Sequence, residues 1–196
     1  MSAPIDAWQE VLDFWFGAPG SPEFNAERSL WFTKSPATDQ AIGRTFGALH
    51  ARALDGQLNA WAEAPASACA LIVLLDQFSR NLYRDDARAF AGDAQALALA
   101  RRMVDTGADS QLPTPYHRWF VYLPFEHDES LQSQRESLRL FGLLAQREQI
   151  AGPLEWARRH AEVIERFGRY PHRNRALGRV STPEEEAFLG LPGSSF

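Results

Sequence analysis

Three polar segments interrupt the apolar pattern of this chain and carry residue types from which a binding or catalytic site could be built. They are "LLDQFSRN" at 74–81, "YLPFEHDES" at 122–130 and "RYPHRNRALGR" at 169–179. Each places charged groups among apolar neighbours, and charged groups are costly to bury unless they find partners. We therefore expect the three segments to meet in one cluster in the folded protein.

The first segment ends the most apolar stretch of the chain. Asp76 and Arg80 lie four residues apart, as do Gln77 and Asn81, so a helix would place two polar pairs side by side. Asp76 and Gln77 also continue apolar rows of the same helix, so this end should be at least half buried. A salt bridge on a helix surface explains the same spacing without a site.

The second segment sets the carboxyl group of Glu126 beside the imidazole of His127, which makes them candidates for a general acid and base. Pro124 should interrupt the preceding helix and free backbone groups close to both. Because neighbouring residues cannot share a helical face, one of the two should point elsewhere. In the alternative interpretation, Asp128 and Glu129 simply begin the next helix, where acids suit the dipole.

The third segment holds four arginines in eleven positions of a chain whose formal net charge is -5. Between positions 158 and 179 there are seven arginines and two glutamates. Guanidinium groups match carboxylates and phosphates, so the cluster needs an anion. That anion could be a ligand, or it could be internal, supplied by Asp76, Glu126 or Asp128. The candidate ligand-binding residues in this segment are His172, Arg173, Asn174 and Arg179.

Other chemistries lack support in the sequence. His127, His172, Glu126 and Asp76 could form a nitrogen and oxygen ligand set, but no metal-binding spacing occurs and nearby arginines repel a cation. No phosphate-binding loop or nucleophile elbow is present. We therefore predict neither a metal nor a cofactor. His50 and His160 follow helical patterns and are interpreted as packing or surface residues.

Composition narrows the class of protein. The single cysteine, Cys69, allows no internal disulfide and suits a reducing cytoplasm. A pI near 5.5 argues against general nucleic-acid binding. The longest apolar run, "ACALIVLL" at 68–75, is far shorter than the roughly 20 residues that span a bilayer. We expect a soluble cytoplasmic protein that binds neither nucleic acid nor membrane.

The elements that must position these segments are helices, because a 3.6-residue period recurs and no period of two occurs. Starts are indicated at Asp6, Ser35, Pro65 and Thr114, and "ARAFAGDAQALALARRMVDTG" at 87–107 reads as one further helix. The sequence "STPEEE" predicts a capping box before the last helix. We predict a single all-helical domain over residues 1–196, built from antiparallel helix pairs as a bundle or a solenoid.

Several motifs in order over nearly the whole chain resemble those of a bacterial family of uncharacterised proteins, domain of unknown function 924. They are "VLDFWFG", "LLDQFSRNLYR", "YLPFEH", "FGRYPHRN" and "LGR" followed by "STPEEEAFL". The resemblance implies a compact right-handed α-α superhelix of the tetratricopeptide-like kind, and it implies no activity. Asp128 stands where the family pattern leads us to expect a serine, which puts in doubt any role for a hydroxyl there.

Three functions fit these observations. The first is a helical binding module for an anionic small molecule or peptide carboxylate, with Arg80, Arg173 and Arg179 as clamps. The second is an enzyme in which Glu126 or His127 exchanges a proton while arginines stabilise negative charge. The third is a scaffold for a protein partner, in which the same residues form a structural network. If every guanidinium group is already paired with a carboxylate and no space is left for a ligand, the scaffold is favoured.

Overall fold

The computed structural model describes residues 6–194, and this part of the chain holds eight α-helices and no β-strand. The protein is therefore all-α. The helices are α1 (Ala7–Phe16), α2 (Pro36–Leu54), α3 (65–82), α4 (Asp93–Thr106), α5 (Pro115–His127), α6 (Leu131–Glu148), α7 (Gly152–Phe167) and α8 (Pro183–Leu189). Short 3₁₀ turns lie in several of the connections, including Ala87–Phe90 and Pro171–Arg173.

Capping residues begin or end several of these helices as the sequence predicts, although Asp6 at the start of α1 makes no side-chain capping bond. The Ser35 side chain accepts a hydrogen bond from the Thr38 backbone N–H at the start of α2. Thr182 and Glu185 form both bonds of the predicted capping box at α8. Gly168 ends α7 with φ of 68°, a left-handed conformation that a residue with a Cβ rarely adopts.

An aromatic core joins α1 to α3 and α5. Trp15 is fully buried, and its ring centroid lies 5.4 Å from Phe78 and 5.5 Å from Phe120, both edge-on. Each such pair stabilises by about 0.5–1.5 kcal/mol beyond the area it buries. This core fixes α3 and α5 side by side, and both helices carry polar residues at their C-terminal ends.

The C-terminal half of α3 contains a π-helical segment, Val73–Phe78, in which all six residues are buried. A π turn adds a residue to the turn and is frequent at functional sites. Asp76 and Arg80 pair four residues apart in this segment, but Gln77 and Asn81 do not pair with each other. Gln77 instead donates to Asp76, while Asn81 donates to Asp39 on α2.

The helix expected over 87–107 begins later than predicted. Ala87–Phe90 is a 3₁₀ turn, and α4 starts at Asp93, directly after Gly92. A Cβ on Gly92 would clash with the Leu75 carbonyl oxygen. Gly92 therefore lets the start of α4 approach the π segment of α3, which brings Asp93 to the end of Arg80.

The expected interruption at Pro124 is wrong, because α5 runs through Pro124 to His127. Proline removes one N–H bond within a helix, but its φ is compatible with helical backbone. All residues from Trp119 to Glu126 are buried, so tertiary packing outweighs the lost bond. Glu126 and His127 consequently lie on the last turn of a helix rather than in a loop after it.

Consecutive helices pack against each other through the second half of the chain, α4 on α5, α5 on α6 and α6 on α7. A small apolar cluster of Val163, Ile164 and Tyr170, with Phe167 and Phe188 against it, attaches α8 and the 168–182 connection. No helix in residues 6–194 has both the length and the apolar character needed to cross a membrane.

Candidate ligand-binding site

Four separate parts of the chain contribute charged and titratable side chains to one cluster. They come from the end of α3, the start of α4, the end of α5 and the 3₁₀ turn after α7. We call this set the polar cluster; its members are Asp76, Arg80, Asp93, His127, His172 and Arg173. The structure thus brings together members of all three polar segments of the sequence.

Asp76 is the buried centre of the polar cluster. Its Oδ1 atom lies 2.7 Å from His127 Nδ1 and 3.1 Å from Arg80 Nη1, and its Oδ2 accepts from Gln77 at 2.6 Å. Burial alone would raise the pKa of Asp76, but Arg80 and His127 outweigh it and lower the pKa. An ionised carboxylate only accepts hydrogen bonds, so the proton of neutral His127 is on Nδ1.

Asp93 is the member that sequence reasoning missed. Arg80 donates to its two carboxylate oxygens at 2.8 and 3.0 Å, a bidentate pair. Arg173 Nη1 reaches Asp93 Oδ2 at 3.5 Å. The only sequence signal was an aspartate after Gly92 at a helix start, which ordinary helix capping explains equally well.

Arg173 is buried with few polar partners. Its side chain is 7% exposed, and its guanidinium carbon lies 4.7 Å from the Phe90 ring centroid and 4.5 Å from that of Tyr170. The long contact to Asp93 is the one hydrogen bond that its side chain makes to the described residues, and its Nε has no partner there. Burial and the neighbouring Arg80 lower the pKa of Arg173 to about 10.

Two histidines complete the polar cluster and are neutral at pH 7. Burial, then Arg173, lowers the pKa of His172 to about 3. Burial and Arg80 lower the pKa of His127, although Asp76 opposes them. The His127 side chain is 13% exposed, and no residue of the described chain bonds its Nε2. The cluster therefore balances two carboxylates against two guanidinium groups and keeps an imidazole nitrogen available.

Glu126 points away from His127, as their adjacency predicts. Its Oε1 lies 3.2 Å from His160 Nδ1 on α7, while its Oε2 finds no hydrogen-bond partner within residues 6–194. Burial and the nearby Asp76 raise the pKa of Glu126 well above its ordinary value. Burial lowers the pKa of His160 to about 3. Glu126 is 3% exposed and lies behind the polar cluster, where burial favours its neutral form.

The outer arginines of the 169–179 segment are paired within the chain. Arg179 donates to both oxygens of Glu129 at 2.6 and 2.9 Å, and Arg169 donates to both oxygens of Glu185 at 2.6 and 2.8 Å. Asn174 bridges the two pairs, accepting from Arg179 and donating to Glu185. Asn174 and Arg179 therefore anchor the segment to α8 and to the chain just before α6.

The internal acids differ from those expected. Asp76 does pair with an arginine, Arg80, but Glu126 faces His160 and Asp128 accepts from Ser130. Glu129, Glu185 and Asp93 supply the other carboxylates. Asn81 lies outside the polar cluster, since it shares Asp39 with Arg84. The predicted site residues therefore divide into an inner group and a structural outer group.

A ligand would approach the polar cluster from its solvent edge. The side chains of Arg80, Asp93 and His127 are 22%, 21% and 13% exposed. Two surface cavities, of about 380 and 340 Å³, lie elsewhere and include no member of the cluster. No group of three or more histidine, cysteine or acidic side chains suited to a metal ion occurs in the described part of the chain.

Fold and site together define an all-helical protein whose helix ends converge on a buried polar cluster. The chain belongs to the family described as bacterial protein of unknown function (DUF924), whose model matches residues 11–193. It is also similar to a solved structure, the protein of unknown function ATU0120 from Agrobacterium tumefaciens. The two share 34% identity over 93% of this chain and 96% of that one, with a TM-score of 0.80. None of the curated proteins matches the sequence.

Proposed function

We propose that the protein binds a small molecule that carries a carboxylate or phosphate group, with Arg173 as its anchor. The observation that carries this proposal is the buried guanidinium of Arg173, which has a single long contact to a carboxylate. A guanidinium offers five N–H donors, and leaving them unsatisfied in a buried setting is costly. An anion that accepts from this group would satisfy donors that the protein leaves largely unused.

The other two expected clamps have different roles in this proposal. Arg80 is held by Asp76 and Asp93, and Arg179 is held by Glu129. Taken alone, these pairs favour the scaffold hypothesis, since the protein's own carboxylates occupy the arginines. Arg173 is the exception among them. Arg80 and Asp93 then serve to position Arg173, and Arg179 serves to hold the segment that carries it.

Calorimetry and thermal melts with an anion panel would test this proposal. Sulfate, phosphate, succinate and citrate are the probes, with chloride at equal ionic strength as the screening control. Binding should raise the melting temperature with concentration, because the ligand binds only the folded state. Arg173→Gln should abolish the shift. Arg175→Gln is the matched control, since Arg175 is exposed two residues away.

Two outcomes would contradict the proposal. One is a wild-type melt that none of the four anions moves beyond the chloride control. The other is an unchanged shift in the Arg173 variant, which would place the anion elsewhere. Either result would favour the third function, a scaffold in which the polar cluster is structural and a protein partner is the ligand.

A second candidate function, proton transfer, is favoured by one specific observation. Asp76 orients His127 through Nδ1 at 2.7 Å and leaves Nε2 available, the arrangement of a general base held by a carboxylate. Glu126 is too deeply buried to act on the same ligand directly. If this function operates, substrates should be anions that Arg173 binds, and His127→Gln should remove turnover while leaving folding intact.

The finer features of the fold and location are proposals of the same kind. We propose that the helices follow the right-handed superhelix of tetratricopeptide-like proteins, which the packing of consecutive helices from α4 to α7 supports. We also propose a cytoplasmic location, supported by the single, buried cysteine. A crystal structure and a fractionation experiment would test these two statements.

A further inference from the structure

We propose that His127 takes up a proton when an anion binds at the polar cluster, so that imidazolium and guanidinium hold the anion together. This inference rests on the proposed binding function and goes beyond it, because it assigns a second ligand-binding group and a coupling to pH. It predicts that the protein binds carboxylates or phosphates more tightly in mildly acidic solution.

The first argument is the charge balance. Without a ligand, Asp76 and Asp93 offset Arg80 and Arg173, so the charged members of the cluster sum to zero. An added anion would leave a net negative charge in a largely buried setting, which is unfavourable. One proton taken from solvent would offset one unit of that negative charge.

The second argument is that His127 is the group placed to accept this proton. Its Nδ1 already donates to Asp76 at 2.7 Å, so protonation at Nε2 keeps that bond and strengthens it. The side chain is 13% exposed, which allows exchange with solvent. Asp76 has a lowered pKa and stays ionised as the partner of the imidazolium.

The third argument concerns the groups that surround His127. Asp76 and Asp93 favour its charged form, whereas Arg80 and burial oppose it. Its ring centroid lies 6.4 Å from that of His160. The titratable or charged groups of the described chain around His127 and the rest of the polar cluster include Asp76, Arg80, Asp93, Glu126, Glu129, His160, Tyr170, His172 and Arg173.

The other histidines are poorer acceptors of this proton. His172 adjoins Arg173 in the chain, and the guanidinium works against a second positive charge there. His160 already has its Nδ1 on the Trp156 carbonyl at 2.9 Å and lies behind Tyr170, 6% exposed. His127 is therefore the histidine whose protonation an anion in the cluster would most readily favour.

The sign of the pH dependence follows from linkage. A bound anion raises the pKa of His127 above its value in the free protein, so binding takes up protons in the interval between the two values. Within that interval the affinity should fall about tenfold for each unit of pH rise when one proton is coupled. Below the interval His127 is protonated in both states, and the affinity should level off.

Titration calorimetry in buffers of different ionisation enthalpy measures this proton directly. The probes are sulfate and succinate at about pH 7, where sulfate is a dianion and both carboxyl groups of succinate are almost entirely ionised. Wild-type protein should take up a fraction approaching one proton per anion bound. His127→Gln should bind with uptake near zero and with an affinity that no longer changes with pH.

The outcomes separate this inference from the binding proposal. Binding of sulfate or succinate with no proton uptake would overturn the inference and leave the binding function standing. If none of sulfate, succinate, phosphate and citrate binds, both are overturned. If His127→Gln fails to fold, the His127 ring signals of wild-type protein can be followed by NMR over a pH series. An anion that leaves its titration midpoint unmoved would overturn the inference.

Discussion

Three arginines of the 169–179 segment are at least half-buried, and they differ in how far their donors are satisfied. Arg169 and Arg179, near its ends, each form bidentate pairs with a carboxylate and have a quarter of their side chain exposed. Arg173, in the middle, is buried between two aromatic rings with one long ionic contact. The donors of Arg169 and Arg179 are satisfied within the chain, so these two arginines are structural, whereas the largely unused donors of Arg173 are the basis of the binding proposal.

The largest expected loss of stability follows from displacing Asp93, which contacts both Arg80 and Arg173. Gly92→Ala should place a Cβ against the Leu75 carbonyl and displace Asp93, costing about 3 kcal/mol or more of unfolding free energy. Gly47→Ala is the control, because Gly47 lies within α2 with open space around it. That variant should be stabilised by up to about 1 kcal/mol. Chemical denaturation of both variants measures the difference.

A smaller loss is expected at the ends of the segment. Arg179→Ala removes both bonds to Glu129 and those to Asn174 and the Tyr170 carbonyl. We expect a cost of about 2 kcal/mol, because a partly buried carboxylate loses its partner. Arg175→Ala should change stability by less than about 0.5 kcal/mol. If urea unfolding gives equal stabilities for these two variants, the structural role of Arg179 is contradicted.

For Arg173 we predict a change in stability of the opposite sign, a gain rather than a loss. The lowered pKa of Arg173 means that the fold disfavours its charge, so Arg173→Met should raise the unfolding free energy by about 1 kcal/mol while abolishing anion binding. Met keeps the apolar contact with Phe90 and Tyr170. A loss of several kcal/mol would instead show that Arg173 closes a structural ion pair with Asp93.

Sequence patterns predicted the parts of this molecule that depend on local chemistry. Helix starts at Ser35 and Thr182 follow from caps that bond their own first turn. The three polar segments could be singled out because each breaks an apolar period. Local patterns could not predict that α5 continues through Pro124, since the effect of this proline depends on burial by residues distant in the chain.

The partners of the arginines could not be predicted for a related reason. Asp93 reaches Arg80 only because Gly92 admits the start of α4 to the π segment of α3. Glu129 has no local pattern that distinguishes it from Asp128, yet only Glu129 meets Arg179. Such pairings depend on how helices pack, and a single sequence contains no direct record of that packing.

The smallest predicted effect concerns the buried acid behind the polar cluster. The pKa of Glu126 is raised in the folded state above 4.5, so the fold retains a proton that the unfolded chain releases. Its contribution to stability is therefore complete below about pH 4.5 and is lost as pH rises toward the folded pKa. Glu126→Gln keeps the shape and the neutral state, so the variant should lack this loss.

Urea denaturation of wild type and Glu126→Gln across pH tests this expectation. The two proteins should have similar unfolding free energies near pH 4.5 and diverge as pH rises, with the variant more stable by about 1 kcal/mol near pH 8. Glu162→Gln on the exposed side of α7 controls for loss of a carboxylate and should track wild type. A Glu126 variant that is less stable than wild type at pH 8 would show an ionised carboxylate paired with His160. Glu126 would then form a structural ion pair, as Arg169 and Arg179 do, because its charge would be satisfied within the fold.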